Sequence, residues 1–312
     1  MAAMRAGDFD RAWAINDRDL TRRIAERTPK HEGPRHLQHI WRGEPLEGAR
    51  VLVRCYHGLG DTLQFIRFAR PLRRIAREVI VWAQLELLSL LRNVEGVDRV
   101  LRLHDGAPQA DYDVDVEIME LGHALRATQR CISQAVPYLR PPQYGSNVGG
   151  RTFEAQNFHV GIVWRAGDWD RRRSVGLARF APLGDVPCVR LHLLQPTHVS
   201  ERPLSFPADD CTSADIADVA ATLTGLDLVL TVDTMMAHLA GAMGVPVWTM
   251  LCRDCDWRWG TGTNTAWYPT MRLFRQRRAG QWGPVIEEIS SELRKIVRER
   301  TKERVSMEAV GK

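Results

Sequence analysis

The sequence lacks any run of about 18 consecutive apolar residues, the length that a helix needs to cross a bilayer. Its first eight residues, MAAMRAGD, also lack the apolar stretch of a secretory signal peptide. We therefore expect a cytoplasmic protein that does not span the membrane. Of its 312 residues, 44% are hydrophobic and 26% charged, a composition typical of globular proteins, and the length predicts two domains.

Cysteine is scarce, with six residues, which excludes a disulfide scaffold and is typical of a reduced compartment. Cys252 and Cys255 have the spacing of a metal or redox pair. A structural zinc needs four ligands, however, and no second CxxC or nearby HxxxH completes the set. The Asp and Trp residues that follow favour a loop rather than a thioredoxin-type helix. We interpret this spacing as a coincidence and predict neither a metal nor a cofactor.

A strong charge imbalance is absent as well. The net charge is +5, from 43 basic and 38 acidic residues, and neither half of the chain forms a basic arm. Nucleic acid is therefore not an expected partner. Lysine is also nearly absent, since only four of the basic residues are lysine and the rest are arginine.

Short apolar runs alternate with amphipathic helices along the chain. In the first half, strands are predicted at 51–55, 78–82, 99–103 and 111–118. After the first strand, one face of a predicted helix carries Phe65, Phe68, Ala69, Leu72, Ile75 and Ala76. A further helix is predicted at 84–92. This order is typical of an α/β fold with a parallel, doubly wound sheet.

A stretch rich in proline and glycine, 141–150, interrupts the pattern and predicts a domain boundary. Beyond it we predict strands at 159–164, 189–194, 228–232 and 245–250, and helices at 214–223 and 234–243. Two similar domains follow, at 49–145 and 151–282. The remaining segments are a helical extension at 1–48, a last helix at 283–300 and a polar tail at 301–312.

Three segments carry residues that could do chemistry, and the first is His57-Gly58-Leu59-Gly60-Asp61-Thr62. It lies between a predicted strand and helix, where glycine lets the backbone approach a ligand and the helix N-terminus offers free N–H groups to an anion. Asp61 fits an ordinary helix cap equally well. The segment is not a pyridine-nucleotide GxGxxG, because Leu63 and Gln64 occupy positions that need small residues.

The second segment is RAGDWDRRRS at 165–174, directly after the first strand of the second domain. In an open α/β sheet this strand end faces the ligand crevice. Guanidinium groups bind phosphate oxygens in pairs, so the polar residues of this loop predict a diphosphate site. They are Arg165, Arg171, Arg172, Arg173 and Ser174. The alternative is a solvated loop, because arginine is common throughout this chain.

The third segment is DTMMAHLAGAMG at 233–244, where a strand meets a helix. His238, one turn into the helix, lies on nearly the same side as Thr234, and Asp233 directly precedes both. This arrangement predicts ligand contacts at a helix N-terminus. Taken alone, His238 fits a partly buried core histidine as well.

In this order, the motifs resemble those of the family 9 glycosyltransferases, which include the ADP-heptose:lipopolysaccharide heptosyltransferases. The common pattern is a strand followed by GxGD, a Pro/Gly link, and DTxxxHLAxAxG followed by VPVW at 245–248. A branch often fused to tetratricopeptide repeats shares GLGDTLQFIR at 58–67, DWRW at 256–259 and WYPTMRLFRQ at 267–276. The similarity covers about residues 40–295. The repeats are missing, and residues 1–48 are interpreted as their remnant or as a cap.

This resemblance implies a GT-B architecture, in which two Rossmann-like doubly wound domains face each other across a cleft. The donor nucleotide sugar would lie mainly on the second domain, and the last helix would return to the first. Asp61 matches the family's general base, in the same loop as Gly58 and Gly60. Asp233, Thr234 and His238 match the donor-binding motif, and Met235 lies within it as a further candidate contact. Met235 stands where heptosyltransferases usually have glycine, and the arginines replace their Thr/Lys pattern.

The implied reaction is a single inverting transfer from a nucleotide-sugar donor to a hydroxyl acceptor, without a metal. The acceptor would be a glycan, a lipopolysaccharide-like molecule or a protein, in cell-envelope glycan synthesis with peripheral association at the inner membrane. Asp111, Asp113 and Asp115 have the spacing of a metal-binding DxD, but they alternate along a predicted strand as one exposed face. A nucleotide-sugar epimerase or hydrolase of the same architecture, or a non-catalytic nucleotide-binding module, is the alternative.

Overall fold

Two sheets of parallel strands organise the chain in the computed structural model, which describes residues 1–27, 38–142 and 153–310. Most of the predicted boundary at 141–150 lies outside these residues. The first sheet has the strand order β3-β2-β1-β4. Its strands are β1 (Arg50–Arg54), β2 (Glu78–Ala83), β3 (Arg99–Arg102) and β4 (Val114–Glu117). Chain order reverses between β1 and β4, so this is a doubly wound sheet.

The second sheet has the order β10-β9-β8-β5-β6-β7, and its order reverses between β5 and β8. Its strands are β5 (Phe158–Val163), β6 (Val189–Leu193), β7 (Asp209–Asp210), β8 (Leu228–Val232), β9 (Val247–Leu251) and β10 (Met271–Arg275). Every strand predicted from the sequence is confirmed. The sequence missed β7 and β10, which are edge strands that carry charged residues and lack a continuous apolar run.

Helices form in each segment where one was predicted. The helices are α1 (Ala2–Arg5), α2 (Phe9–Ala25), α3 (Leu59–Phe65), α4 (Ala69–Arg73), α5 (Leu88–Leu91), α6 (Leu121–Ala124), α7 (Gln129–Ser133), α8 (Ala181–Gly184), α9 (Ile216–Leu223), α10 (Met235–Ala242) and α11 (Gly283–Val310). Of these, α6, α7 and α8 were not predicted. The single helix predicted after β1 is divided by a 3-10 turn at Ile66–Phe68. Pro71, which lacks an N–H for the Arg67 carbonyl, fits this break. The last helix continues to Val310, ten residues beyond its predicted end.

The N-terminal helices pack against both halves of the chain. On the first half, the Trp13 indole donates to the Ala127 carbonyl at 2.8 Å. On the second half, Arg5 donates to the Cys255 carbonyl at 2.8 Å, and the Phe9 ring contacts Trp267 with ring centroids 6.5 Å apart. The N-terminal extension therefore bridges the two sheets.

Arg67 joins the two halves from inside. Its buried guanidinium donates to the Trp267 carbonyl at 2.8 Å, to the Ile132 carbonyl at 3.0 Å and to the Tyr138 hydroxyl at 2.8 Å. The rings of Tyr138, Trp267 and Tyr268 surround it at 4.7, 5.1 and 4.9 Å. A buried arginine needs acceptors for its donors, and aromatic faces add cation–π attraction. Two segments distant in sequence, 58–67 and 267–276, meet at this residue.

Candidate functional site

A cleft of about 410 Å³ lies between the two halves, where β1, β5, β6 and β8 end. The carboxyl ends of parallel strands at a switch point are where open α/β sheets bind ligands. Most of the site residues predicted from the sequence line this cleft. From the first half they are Gly58, Gly60 and Asp61, and from the second half Arg165, Arg173, Asp233, Thr234, Met235 and His238.

Asp61 is held from both sides of the cleft. Its Oδ2 accepts the backbone N–H of Gly58 at 3.1 Å, and its Oδ1 accepts Nη2 of Arg258 at 2.8 Å. The N-cap of α3 is Gly58, and Asp61 is the third residue of the helix, so the interpretation of Asp61 as the N-cap itself is wrong. The carboxylate still satisfies an N–H of the helix start. It keeps one fifth of its side-chain surface exposed to the cleft.

His238 is buried at the centre of the contact between the two halves. Its Nδ1 lies 2.9 Å from the Tyr268 hydroxyl, and its ring stacks on Trp259 with centroids 5.2 Å apart. Burial, with the nearby Arg258 and Arg67, lowers the pKa of His238 well below its usual 6.5. The imidazole is therefore neutral at physiological pH.

Asp233 and Thr234 connect the end of β8 to α10. The Thr234 hydroxyl caps the helix by accepting the N–H of Met236 at 3.2 Å. Burial raises the pKa of the Asp233 carboxyl, although Trp259 and Arg173 oppose this. Eight-residue α10 directs its N-terminus at the cleft, where the helix dipole favours an anion.

Two arginines of the 165–174 loop line the cleft. Arg165 donates to Glu201 at 3.3 Å and to the Pro196 carbonyl at 2.8 Å. Arg173 donates to the Asp233 carbonyl at 2.8 Å, and its guanidinium lies 4.1 Å from the centroid of the Trp169 ring. Both cations are thus anchored within the second half.

The structure places the other predicted loop residues elsewhere. Arg171, Arg172 and Ser174 line a neighbouring pocket of about 250 Å³, together with Cys252 and Arg253. Arg172 is bound through two N–H groups to Asp170, and the Arg171 side chain is 82% exposed. The Ser174 hydroxyl accepts the N–H of Ala166 at 3.0 Å and so shapes the loop. The loop folds back into a 3-10 turn, which points successive arginines in different directions.

Arg258 and Gln195 also line the cleft, and neither was predicted as a site residue. Arg258 belongs to the DWRW segment, which the resemblance singled out without a role. Gln195 follows the end of β6, and its Oε1 accepts the N–H groups of Trp164 and Arg165 at 2.7 and 2.8 Å. Strand ends beside a switch point are the signal that could have found it.

Glu117 ends β4 and lies 3.3 Å from Nε2 of His57 in the glycine loop. Burial raises the pKa of Glu117, although the hydrogen bond and charge of His57 act to lower it. Burial opposes charging of His57, but the hydrogen bond and charge of Glu117 raise its pKa. The first half therefore carries a coupled acid–base pair directly beside Asp61.

The prediction of one exposed aspartate face at 111–115 is wrong for Asp115. Its carboxylate is buried and accepts Nη2 of Arg54 at 2.6 Å, because β4 pairs with β1 and brings the two side chains together. Asp111 is exposed, and Asp113 lies at the sheet edge with Arg50, which lowers the pKa of Asp113 to about 2.

In the part of the chain that the structure describes, no three His, Cys, Asp or Glu side chains are grouped so that they could hold a metal ion. Cys252 and Cys255 follow β9 in a loop, and Nη1 of Arg275 lies 3.1 Å from the Cys255 sulfur. Across the described ranges, none of the helices carries an apolar stretch sufficient to span a bilayer.

Comparison with known proteins adds relatives at low identity. No family model matches the chain. Protein FlbA of Caulobacter vibrioides is 24% identical over 289 aligned residues, which cover 81% of this chain and 48% of FlbA. The chain therefore spans about half the length of this curated relative.

Several solved glycosyltransferases share the fold. A family 9 glycosyl transferase from Veillonella parvula matches with a TM-score of 0.57 and 11% identity, over 81% of this chain and 98% of that one. The E. coli ADP-heptose lipopolysaccharide heptosyltransferase II matches with a TM-score of 0.53 and 12% identity, over 78% of this chain and 98% of that one. TibC of enterotoxigenic E. coli, a dodecameric iron-containing glycosyltransferase, matches with a TM-score of 0.51 and 10% identity. The match covers 83% of this chain and 77% of that one. The fold of this chain is that of the family 9 glycosyltransferases, a GT-B arrangement of two Rossmann-like halves.

Proposed function

We propose that this protein is a glycosyltransferase that moves a sugar from a nucleoside diphosphate sugar to a hydroxyl acceptor. The observation that carries the proposal is the opposition of unlike groups across one cleft. The Asp61 carboxylate projects from the first half, and the α10 N-terminus with Arg165 and Arg173 faces it from the second. A base on one wall and an anion-binding surface on the other is the arrangement that sugar transfer requires.

The second half provides the donor side. The N-terminus of α10 favours a negatively charged group, and the two anchored arginines present fixed positive charge beside it. A diphosphate meets these requirements better than a single carboxylate, because its charge is spread over several oxygens. Heptosyltransferase II is named for an ADP-heptose donor. We carry over only the class, a nucleoside diphosphate sugar, because the arginines differ from the pattern of the heptosyltransferases.

The proposed mechanism is a single displacement. The acceptor hydroxyl attacks the anomeric carbon while Asp61 takes its proton, and the bond from that carbon to the diphosphate oxygen breaks. Attack opposite to the leaving group inverts the configuration. General-base catalysis supplies about 10²–10⁴-fold, and the cations with the helix dipole stabilise charge on the leaving diphosphate without a metal. We propose an acceptor of the glycan, lipopolysaccharide or protein class, reached from the cytoplasm at the inner membrane.

The test combines donor binding with turnover. A thermal-shift panel of ADP-, GDP-, UDP- and dTDP-sugars identifies the donor, because a ligand at 100 times its dissociation constant adds about 2.7 kcal/mol of stability. With that donor, we expect Asp61→Asn to bind but to lose at least about 10²-fold in turnover. Asp111→Asn, a carboxylate 94% exposed and outside the cleft, is the matched control.

The outcomes separate the alternatives. Wild-type turnover in Asp61→Asn would contradict the role of Asp61 as base. Release of free sugar without any acceptor would identify a hydrolase, and interconversion of donors an epimerase. Failure of every donor to stabilise the wild-type protein would contradict the proposed function as a whole.

A further inference from the structure

We infer that Arg258 changes partners during the reaction, from Asp61 in the unliganded protein to the diphosphate of the bound donor. Donor binding would thereby release the base. This inference rests on the proposed function and deepens it, because it names a residue that positions Asp61 and links it to the state of the donor site.

The first observation is that both carboxylate oxygens of Asp61 are engaged. Gly58 donates to Oδ2 at 3.1 Å, within the same loop. Arg258 donates to Oδ1 at 2.8 Å from the opposite half, 197 residues away in sequence. The oxygen that faces the second half is thus covered by a guanidinium. The guanidinium therefore covers one direction from which an acceptor hydroxyl could approach that oxygen.

The second observation is that the guanidinium of Arg258 has an unused donor. Its side chain is only 12% exposed, yet its Nε–H makes no hydrogen bond and lies 3.4 Å from the nearest Asp256 oxygen. Among the described residues, the only contact of this Nε–H with an acceptor is the long ion pair with Asp256, so the guanidinium keeps a donor that could bind a phosphate oxygen. The guanidinium lines the same cleft as the α10 N-terminus.

The third observation is that the backbone of Arg258 is fixed while its side chain reaches across. Asp256 caps the 3-10 turn Trp257–Trp259 by accepting the N–H of Arg258 at 3.0 Å. Trp259, the next residue, is fully buried against His238. The proposed change of partners would therefore need only a rotation of the long side chain, with the main chain left in place.

The other two cleft arginines differ in this respect. Arg165 and Arg173 bind acceptors of the second half, Glu201 and the Asp233 carbonyl. Arg258 alone among the three binds the proposed base. A donor diphosphate and Asp61 would compete for one cation, so occupancy of the donor site would decide when the base is free.

The binding test uses inorganic pyrophosphate, measured by calorimetry, so that it does not depend on the identity of the base or of the sugar. We expect Arg258→Gln to weaken pyrophosphate binding at least about tenfold, and Arg258→Lys to weaken it less. Asp61→Asn removes the negative charge that competes for Arg258 and should tighten binding about three- to tenfold. Arg277→Gln, the same change at an exposed arginine, should bind like wild type.

The double variant separates competition from simple charge repulsion. Loss of a negative charge at Asp61 favours an anion in any background, whereas release of Arg258 favours it only when Arg258 is present. We therefore expect Asp61→Asn to tighten binding clearly less in the Arg258→Gln background than in wild type. Equal tightening in both backgrounds would overturn the exchange of partners, and so would wild-type affinity in Arg258→Gln. Should Arg258→Gln fail to fold, Arg258→Met, which keeps a long side chain without the positive charge, replaces it in both comparisons.

Turnover provides a readout that a purely structural role would not change. Arg258→Gln should raise the donor KM and also lower kcat, because the cation serves both donor binding and the departing charge. Arg258→Lys should restore part of both. A fall in melting temperature with unchanged KM and kcat would overturn the inference. If wild type binds neither pyrophosphate nor any nucleotide sugar, the proposed function fails as well; if it binds them without dependence on Arg258, only this inference fails.

Discussion

Gly60 lies directly beneath His238, and a Cβ atom at position 60 would come within 2.8 Å of Cδ2 of that imidazole and 3.3 Å of the Met235 Cα. The glycine of the first half thus makes room for α10 of the second. Gly241, on α10 itself, makes room for Tyr268, since a Cβ there would lie 2.6 Å from the Tyr268 ring. The two glycine-containing motifs form one packing unit between the halves.

Replacement of Gly60 by alanine should therefore loosen the contact between α3 and α10. We expect Gly60→Ala to destabilise the protein by about 1–3 kcal/mol, because the extra methyl group overpacks a buried interface. Thermal and urea denaturation measure the effect. Gly58→Ala is the control, since its Cβ would meet only Oδ2 of Asp61, at the ordinary contact distance of 3.4 Å. Equal effects at the two positions would contradict this packing role.

The neutral His238 ring should make the protein sensitive to acid. Burial, together with Arg258 and Arg67, places the folded-state pKa of His238 well below the usual 6.5. The stability that depends on the neutral ring is therefore present above pH 6.5 and is lost as pH falls below it.

Between pH 6.5 and 5, we expect the free energy of unfolding of wild type to fall more steeply than that of His238→Asn. The difference in slope is at most about 1.4 kcal/mol per pH unit. Urea denaturation at several pH values in this range gives both slopes. Parallel slopes would contradict the prediction, whatever the offset between the two proteins.

The stability contributed by the His57–Glu117 pair should depend on pH in the opposite sense to that of His238. Burial disfavours the charged ring, but Glu117 raises the pKa of His57 above the usual 6.5. Stability from the charged ring is present below pH 6.5 and is lost as pH rises through the raised value.

The imidazole resonances of His57 in NMR spectra report its pKa directly. Glu117→Gln removes the group that most favours the charged ring, while burial still opposes it, so we expect the His57 titration to move to lower pH. Glu86→Gln, a change at an exposed carboxylate, should leave it unchanged. An unmoved His57 titration in Glu117→Gln would show that Glu117 does not hold the proton on the ring.

Sugar transfer should survive chelation, because arginines and a helix N-terminus face the proposed diphosphate position. We expect EDTA to leave turnover within about twofold of its value without chelator. The double variant Asp111→Ala with Asp113→Ala should also remain near wild type, since both residues lie at the outer edge of the first sheet. Loss of turnover with EDTA that Mg²⁺ or Mn²⁺ restores would contradict the metal-independent mechanism.

The sequence by itself determined most of the strands and helices and the position of the cleft at the strand ends. Strands such as β8 are continuous apolar runs, and α10 follows β8 within three residues, so local periodicity was sufficient to find both. Since ligands bind at the carboxyl ends of parallel strands, Asp233 and Thr234 could be placed at the site from their position after β8. Gly60 and Asp61 could be placed at the site in the same way, from their position after β1.

The tertiary structure decided which groups meet across the cleft. Asp61 and Arg258 are 197 residues apart, and no local pattern encodes their 2.8 Å contact. The direction of each loop arginine was equally beyond the sequence, because a 3-10 turn sends Arg173 to the cleft and Arg172 away from it. Periodicity reports only whether a side chain is buried in its own element. The partner of a charged side chain is set by the packing of one half against the other, a long-range property of the folded chain.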